Sequence, residues 1–136
     1  MTTTGGCFCG AIRYEIASPP IFQFACHCRA CQHSTGGSPT LGIIVPAAAF
    51  TITKGEPRTY WSVGESGGRV GRCFCETCGS PLFSKLEGSP DMLPVKVGSL
   101  DDPAAFQVQA DMWMSEAQPW HHPHNGAARF EANPGA

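Results

Sequence analysis

Cys73-Phe74-Cys75-Glu76-Thr77-Cys78-Gly79 is the stretch that decides the fold, because two further cysteine groups answer it: Cys7-Phe8-Cys9-Gly10 and Cys26-His27-Cys28-Arg29-Ala30-Cys31. Together the three groups hold all eight cysteines of a 136-residue chain. Cys-x-Cys and Cys-x-x-Cys spacings put two thiolates on one side of a tight turn, aimed at one point. A tetrahedral zinc ion needs that arrangement. A disulfide framework would scatter its cysteines, since cross-links that close long loops are the useful ones. Met1-Thr2-Thr3-Thr4-Gly5-Gly6 also has neither the basic nor the apolar region of a secretory leader. An iron–sulfur centre competes on ligand chemistry alone, because four cysteines can also hold iron. Eight free thiols fit a reducing cytoplasm, which is the expected location.

The formal net charge is −2, and the nine Lys and Arg residues are dispersed along the chain. No basic block could neutralise a run of phosphates, so nucleic acid is not an expected partner. No apolar run approaches the ~20 residues of a membrane span, so a membrane is not expected either.

Sixteen glycines and twelve prolines punctuate short stretches rich in β-branched and aromatic residues. Strands are expected over residues 11–16, 21–26, 41–45, 50–53, 59–63, 69–74, 82–86, 93–97 and 106–112. No segment sustains a 3.6-residue apolar period for three turns; Pro46 to Phe50 allows one helical turn. The class is all-β. His121-His122-Pro123-His124 reads either as a solvated extension or as a metal-binding tract.

The three groups with their flanks are Gly6 to Tyr14, Cys26 to Gln32 with Thr35-Gly36, and Arg72 to Leu82. With Met112-Trp113-Met114 and Pro119-Trp120 they resemble the family of glutathione-dependent formaldehyde-activating enzymes, which includes the centromere protein V domain. The likeness spans residues 5 to 120. It implies a β-tent fold of packed antiparallel sheets stapled by two zinc ions, over a domain of residues 1–125 followed by a flexible tail at 126–136. It also implies a closed structural site made by Cys7, Cys9, Cys75 and Cys78. Cys26, Cys28 and Cys31 would hold a second, catalytic metal. Three protein ligands and one exchangeable position make the usual catalytic pattern. His27 lies between two of these ligands and is expected to point away from the metal into a packed or hydrogen-bonded setting. His33 is a weaker candidate for a hydrogen bond near the site.

Two residues depart from the family pattern. Cys73 is an additional thiol, open to three readings: a fourth ligand of the second site, a resolving thiol, or a small buried hydrophobe. Asp111 stands where family members often carry a histidine. The activity implied is that of a carbon–sulfur lyase or synthase, joining a glutathione-type thiol and a small aldehyde in an S-hydroxymethyl adduct. Arg29 and Arg72 are candidates for holding a substrate carboxylate, against a merely structural or solvated role. A non-enzymatic zinc-stabilised binding module and a thiol redox sensor are the rival readings.

Overall fold

A computed structural model describes residues 2–64 and 67–134. In chain order the elements are β1 (Thr3–Gly6), β2 (Arg13–Ile16), β3 (Phe22–Cys26), α1 (Arg29–Thr35), β4 (Thr40–Pro46), β5 (Phe50–Lys54) and β6 (Arg58–Val63). They continue with β7 (Arg69–Phe74), β8 (Pro81–Leu86), β9 (Met92–Lys96), β10 (Ala110–Met112) and β11 (Ala128–Arg129). Short 3₁₀ turns occupy Ala47–Ala49, Val97–Ser99 and Met114–Glu116, the first at the expected helical turn. One sheet has the order β1-β2-β5, and the larger one runs β11-β10-β3-β4-β9-β8-β7-β6. Pairing is antiparallel except where β10 joins β3 and β11. The all-β class is as expected. No helix among the described residues is long and apolar enough to cross a membrane.

Alternation along the strands sorts the residues onto two faces. Ile43 and Val45 of β4, Leu93 and Val95 of β9, and Phe83 and Cys73 meet Ile12, just before β2, and Tyr14 and Ile16 of β2. Each large side chain so buried stabilises the fold by about 1.5–3 kcal/mol. Phe50 bridges the layers, with ring centroids 4.9 Å from Tyr14 and 4.7 Å from Phe83. Phe22, Phe24, Cys26, Thr40, Gly42, Lys96 and Arg72 lie on the opposite face of the large sheet and line a cleft.

Four elements depart from the sequence-based expectation, β1 among them because Thr3-Thr4-Gly5-Gly6 has no apolar pattern. α1 is a helix where none was expected, because its inward positions carry Cys31 and Gln32 rather than aliphatic residues. Its cap signals are nonetheless in the sequence: Cys28 Sγ accepts from Cys31 N–H, and Gly36 closes the helix in the left-handed region at φ 82°. The expected strand at 106–112 begins only at Ala110. Before it, the Gln23 and Gln109 side chains replace ladder bonds, with Gln23 N–H donating to Gln109 Oε1 at 2.8 Å and Gln107 N–H to Gln23 Oε1 at 3.3 Å. Ala128–Arg129, within the 126–136 segment expected as a flexible tail, form β11 on the edge of the large sheet. The chain stays paired past that strand: Phe130 N–H donates to Asp111 O, and Trp113 N–H to Ala132 O.

Candidate metal centres and active-site cleft

Cys7, Cys9, Cys75 and Cys78 come together from two distant knuckles, their sulfurs all within 4.8 Å of one another. The first knuckle leaves β1 and turns back through Gly10 at φ 81°, with Gly10 N–H donating to Cys7 O at 3.2 Å. The second leaves β7 and turns through Gly79 at φ 78°, with Gly79 N–H donating to Cys75 O at 2.8 Å. A positive φ at these turns is the reason each ligand pair is followed by glycine. Cys7 and Cys9 sulfurs are 3.6 Å apart, and Cys9 and Cys75 sulfurs 3.8 Å. Tetrahedral zinc with bonds of about 2.3 Å requires sulfur–sulfur edges of about 3.8 Å, so the cage has the right size. Ile12 N–H points at Cys7 Sγ at 3.2 Å, whereas the Cys9 thiol, despite the Ala11 amide, is pushed up to about 11 by its neighbours Cys7, Cys78 and Cys75. The Ser80 hydroxyl and N–H hold the Cys78 thiol down to about 5.

Cys26, Cys28 and Cys31 form the second group, also within 4.8 Å of one another. Cys26 ends β3, Cys28 caps α1, and Cys31 lies in its first turn, so a strand end and a helix start converge on one point. The three thiols compete for charge. Bonds toward Cys28 and Cys31, together with burial, push the Cys26 thiol up. The Cys31 thiol is held down to about 2 by Cys26 and Cys28, with further help from Thr40 and Lys96. A cation that replaced the shared protons would relieve this crowding.

Cys73 belongs to neither group. Arg72 faces the cleft, so Cys73, one residue on, faces the core, where its sulfur sits 3.3 Å from Thr59 Oγ1. Of its three readings, this placement is that of the buried hydrophobe. Burial raises its thiol.

The cleft beside the second group has a volume of about 880 Å³. Phe22, Phe24, Met112 and Trp113 form its apolar wall, and Arg29, Arg69, Arg72 and Lys96 its cations. Arg72 donates to Ser62 Oγ at 2.6 Å, and the Arg29 guanidinium bonds Gln32 Oε1. Glu116 is occupied by Arg29 N–H at 2.7 Å. Trp113 stands at φ 57°, alone among the described non-glycine residues in the left-handed region, which turns the chain from β10 into the 3₁₀ turn at the cleft rim. Such strain persists where surrounding contacts hold it, here including Trp113 Nε1–H to Asn133 Oδ1 at 2.7 Å.

Behind the Cys26–Cys31 loop lies a polar network. His27 points away from the sulfurs and is fully buried, as is Asp111. His27 Nε2 meets Asp111 Oδ1 at 2.8 Å, and its Nδ1 meets His121 Nδ1 at 3.1 Å. The Gly37 carbonyl can only accept, so His121 donates from Nε2 at 2.8 Å, which leaves its Nδ1 to accept from Gln118 N–H. His27 and His121 thus face each other through their Nδ1 atoms, with Gln118 N–H also directed at His121 Nδ1. Asp111 also accepts from His124 N–H at 2.7 Å and His124 Nδ1 at 2.9 Å. Burial opposes its charge, but these bonds from His27 and His124 hold its carboxyl below the usual range. The histidine tract is thus neither a solvated extension nor grouped as a metal site: His121 and His124 fasten the tract to Asp111 and His27. His33 is exposed. Lys96, Thr40 and the roles of His121 and His124 escaped the sequence reading. Strand alternation could have placed Thr40 and Lys96 beside Cys26; nothing local signalled the histidines.

The sequence profile described as "Glutathione-dependent formaldehyde-activating enzyme" matches residues 2–116. A Halomonas elongata protein named "Putative glutathione-dependent formaldehyde-activating enzyme" is 30% identical over 87 residues, covering 61% of this chain and 55% of that protein. The chain thus aligns with about half the length of that relative. A crystal structure of a Rhodobacter sphaeroides protein superposes with a TM-score of 0.58 at 20% identity, covering 72% of this chain and 87% of the other, a likeness of fold. With five-sixths of its length matched by that profile, this chain belongs to the glutathione-dependent formaldehyde-activating enzyme family.

Proposed function

We propose that the protein binds two zinc ions and catalyses the reversible joining of a glutathione-type thiol and formaldehyde, as a carbon–sulfur lyase or synthase. The observation that carries this reading is the grouping of Cys26, Cys28 and Cys31, with no fourth cysteine beside them, at the wall of a cationic cleft. Cys7, Cys9, Cys75 and Cys78 are the structural set, a closed sulfur cage that staples two hairpins. At the second set, zinc would lower the pKa of a substrate thiol and so supply a thiolate at neutral pH. The chain's residues bind and orient. Arg29 and Arg72 offer guanidinium forks to the carboxylates of a peptide thiol. Phe22, Phe24, Met112 and Trp113 exclude water from the apolar wall.

In the reaction the sulfur lone pair attacks the aldehyde carbon and a C–S bond forms. The C=O π pair moves to oxygen, and the thiol proton ends there, giving the S-hydroxymethyl adduct. Neither oxidant nor reductant is required, and reversal is the lyase direction. The test is exchange NMR of glutathione and formaldehyde at equilibrium. Zinc-replete protein speeds interconversion over the uncatalysed rate, and Cys28→Ser abolishes the gain. An unchanged rate with fully loaded wild-type protein would overturn the proposal.

A further inference from the structure

Of Lys54, Lys85 and Lys96, the first two are exposed and Lys96 alone is withdrawn from solvent. It enters the cleft from the end of β9, where β4 carries Gly42 opposite it, and Thr40 opposite Cys26. Its Nζ donates to Thr40 Oγ1 at 2.9 Å. Among the described residues no carboxylate lies within ion-pair distance of it, nor of Arg72 in the same cleft. A partly buried ammonium with no acidic partner is costly unless another anion answers it. The anions at hand are the sulfurs of Cys26, Cys28 and Cys31, which share the cleft wall with Thr40 and Lys96. Burial pulls the Lys96 ammonium down, and Cys31 foremost among the sulfurs pushes it back up.

We propose that Lys96 is the counter-ion of the Cys26–Cys28–Cys31 cluster and a specificity-determining residue that favours an anionic sulfur over a neutral ligand in the cleft. The inference rests on the reading of this cluster as a metal site. Three thiolates with a divalent cation carry one net negative charge, and an incoming thiolate makes it two. Concentrating that charge in a half-dry cleft is unfavourable, and an ammonium held alongside offsets it. Thr40 fixes the ammonium's position through its hydroxyl. A neutral ligand adds no charge and gains little from Lys96. At an effective dielectric of about 20, a unit charge roughly 6–12 Å away changes affinity on the order of 10- to 100-fold.

The test uses the full chain loaded with cobalt(II) and reads the absorption bands of the bound metal, not turnover. The probes are 2-mercaptoethanol, a thiol without a carboxylate, and imidazole, a neutral ligand. Lys96→Met is expected to keep the wild-type cobalt content and to weaken mercaptoethanol binding 10- to 100-fold. Its imidazole affinity should change less than twofold, and Lys96→Arg should restore most of the thiol affinity. Lys96→Gln carries the same comparison if the methionine variant does not fold. Equal thiol affinity in variant and wild type overturns the inference, and so does a parallel loss of both ligands, which would mark Lys96 as a structural support. Wild-type protein that takes up no cobalt at Cys26, Cys28 and Cys31 overturns the metal-site reading, and this inference with it.

Discussion

Asp111→Ala tests the buried polar network without touching a cysteine. The wild-type carboxylate is fully buried and accepts three hydrogen bonds, at 2.8 Å from His27, and at 2.9 Å and 2.7 Å from the ring and backbone of His124. The alanine strands a fully buried imidazole and an amide donor. Each buried donor left without an acceptor costs about 1–3 kcal/mol. Two such donors, on His27 and the His124 backbone, put the loss at about 3 kcal/mol. A loss of about 3 kcal/mol corresponds to a fall of about 10 °C in the melting temperature of a chain this size. The linkage has a definite sign. The Asp111 carboxyl is held below its ordinary 3.8, so its contribution is present above that value and is lost as pH falls through the lower folded pKa. Urea melts of zinc-saturated wild type and variant at pH 7 measure the difference. A gap under 1 kcal/mol would refute the reasoning, because the network would then hold nothing that water does not replace.

Cys78→Ser should leave unfolded or molten protein, since a structural zinc contributes on the order of 10 kcal/mol, whereas Cys28→Ser should fold with one metal fewer by elemental analysis. Identical behaviour of the two variants would erase the distinction between the sites. Cys73→Ala should retain the wild-type metal content and cost about 1 kcal/mol, the loss of one small buried group from the core. Loss of a metal would restore Cys73 as a ligand. Gly42→Ala should cost about 1–3 kcal/mol and reshape the cleft floor, because the added Cβ would stand 2.5 Å from Phe24 Cζ. A shift of the Phe24 ring resonances by NMR is the direct check.

Much of this architecture is legible residue by residue. The knuckles announce themselves because ligand chemistry demands close sulfurs, and the glycines after Cys9 and Cys78 mark the turns that deliver them. The strands from β4 to β9 show as short apolar runs between turn residues, and most were placed to within one or two positions. β1 did not show, because Thr3-Thr4-Gly5-Gly6 has no apolar pattern. Its glycine is nevertheless required: a Cβ at Gly5 would lie 2.4 Å from the Tyr14 ring, whose hydroxyl reaches Ser99 Oγ. That constraint joins residues far apart in the chain, and no local window contains it.

The same distinction separates what was visible at the site from what was not. Cys26, Cys28 and Cys31 are a tripod by their spacing alone. Cys73 could be assigned only once Arg72 was known to face the cleft, because period-two alternation then turns the next side chain to the core. Lys96 and Thr40 follow by register: β4 sets Thr40 against Cys26 and Gly42 against Lys96, which brings a strand-borne ammonium to a cysteine cluster seventy residues earlier. Asp111 is the opposite case. Its departure from the family pattern was visible, but its meaning depends on His27, His121 and His124 converging from three segments. His27 and His124 supply the hydrogen bonds that its buried carboxylate accepts. The Cys26–Cys31 loop is therefore backed by the His27–Asp111 hydrogen bond and flanked on the cleft wall by Thr40 and Lys96, so the surroundings of one short motif are drawn from the rest of the chain.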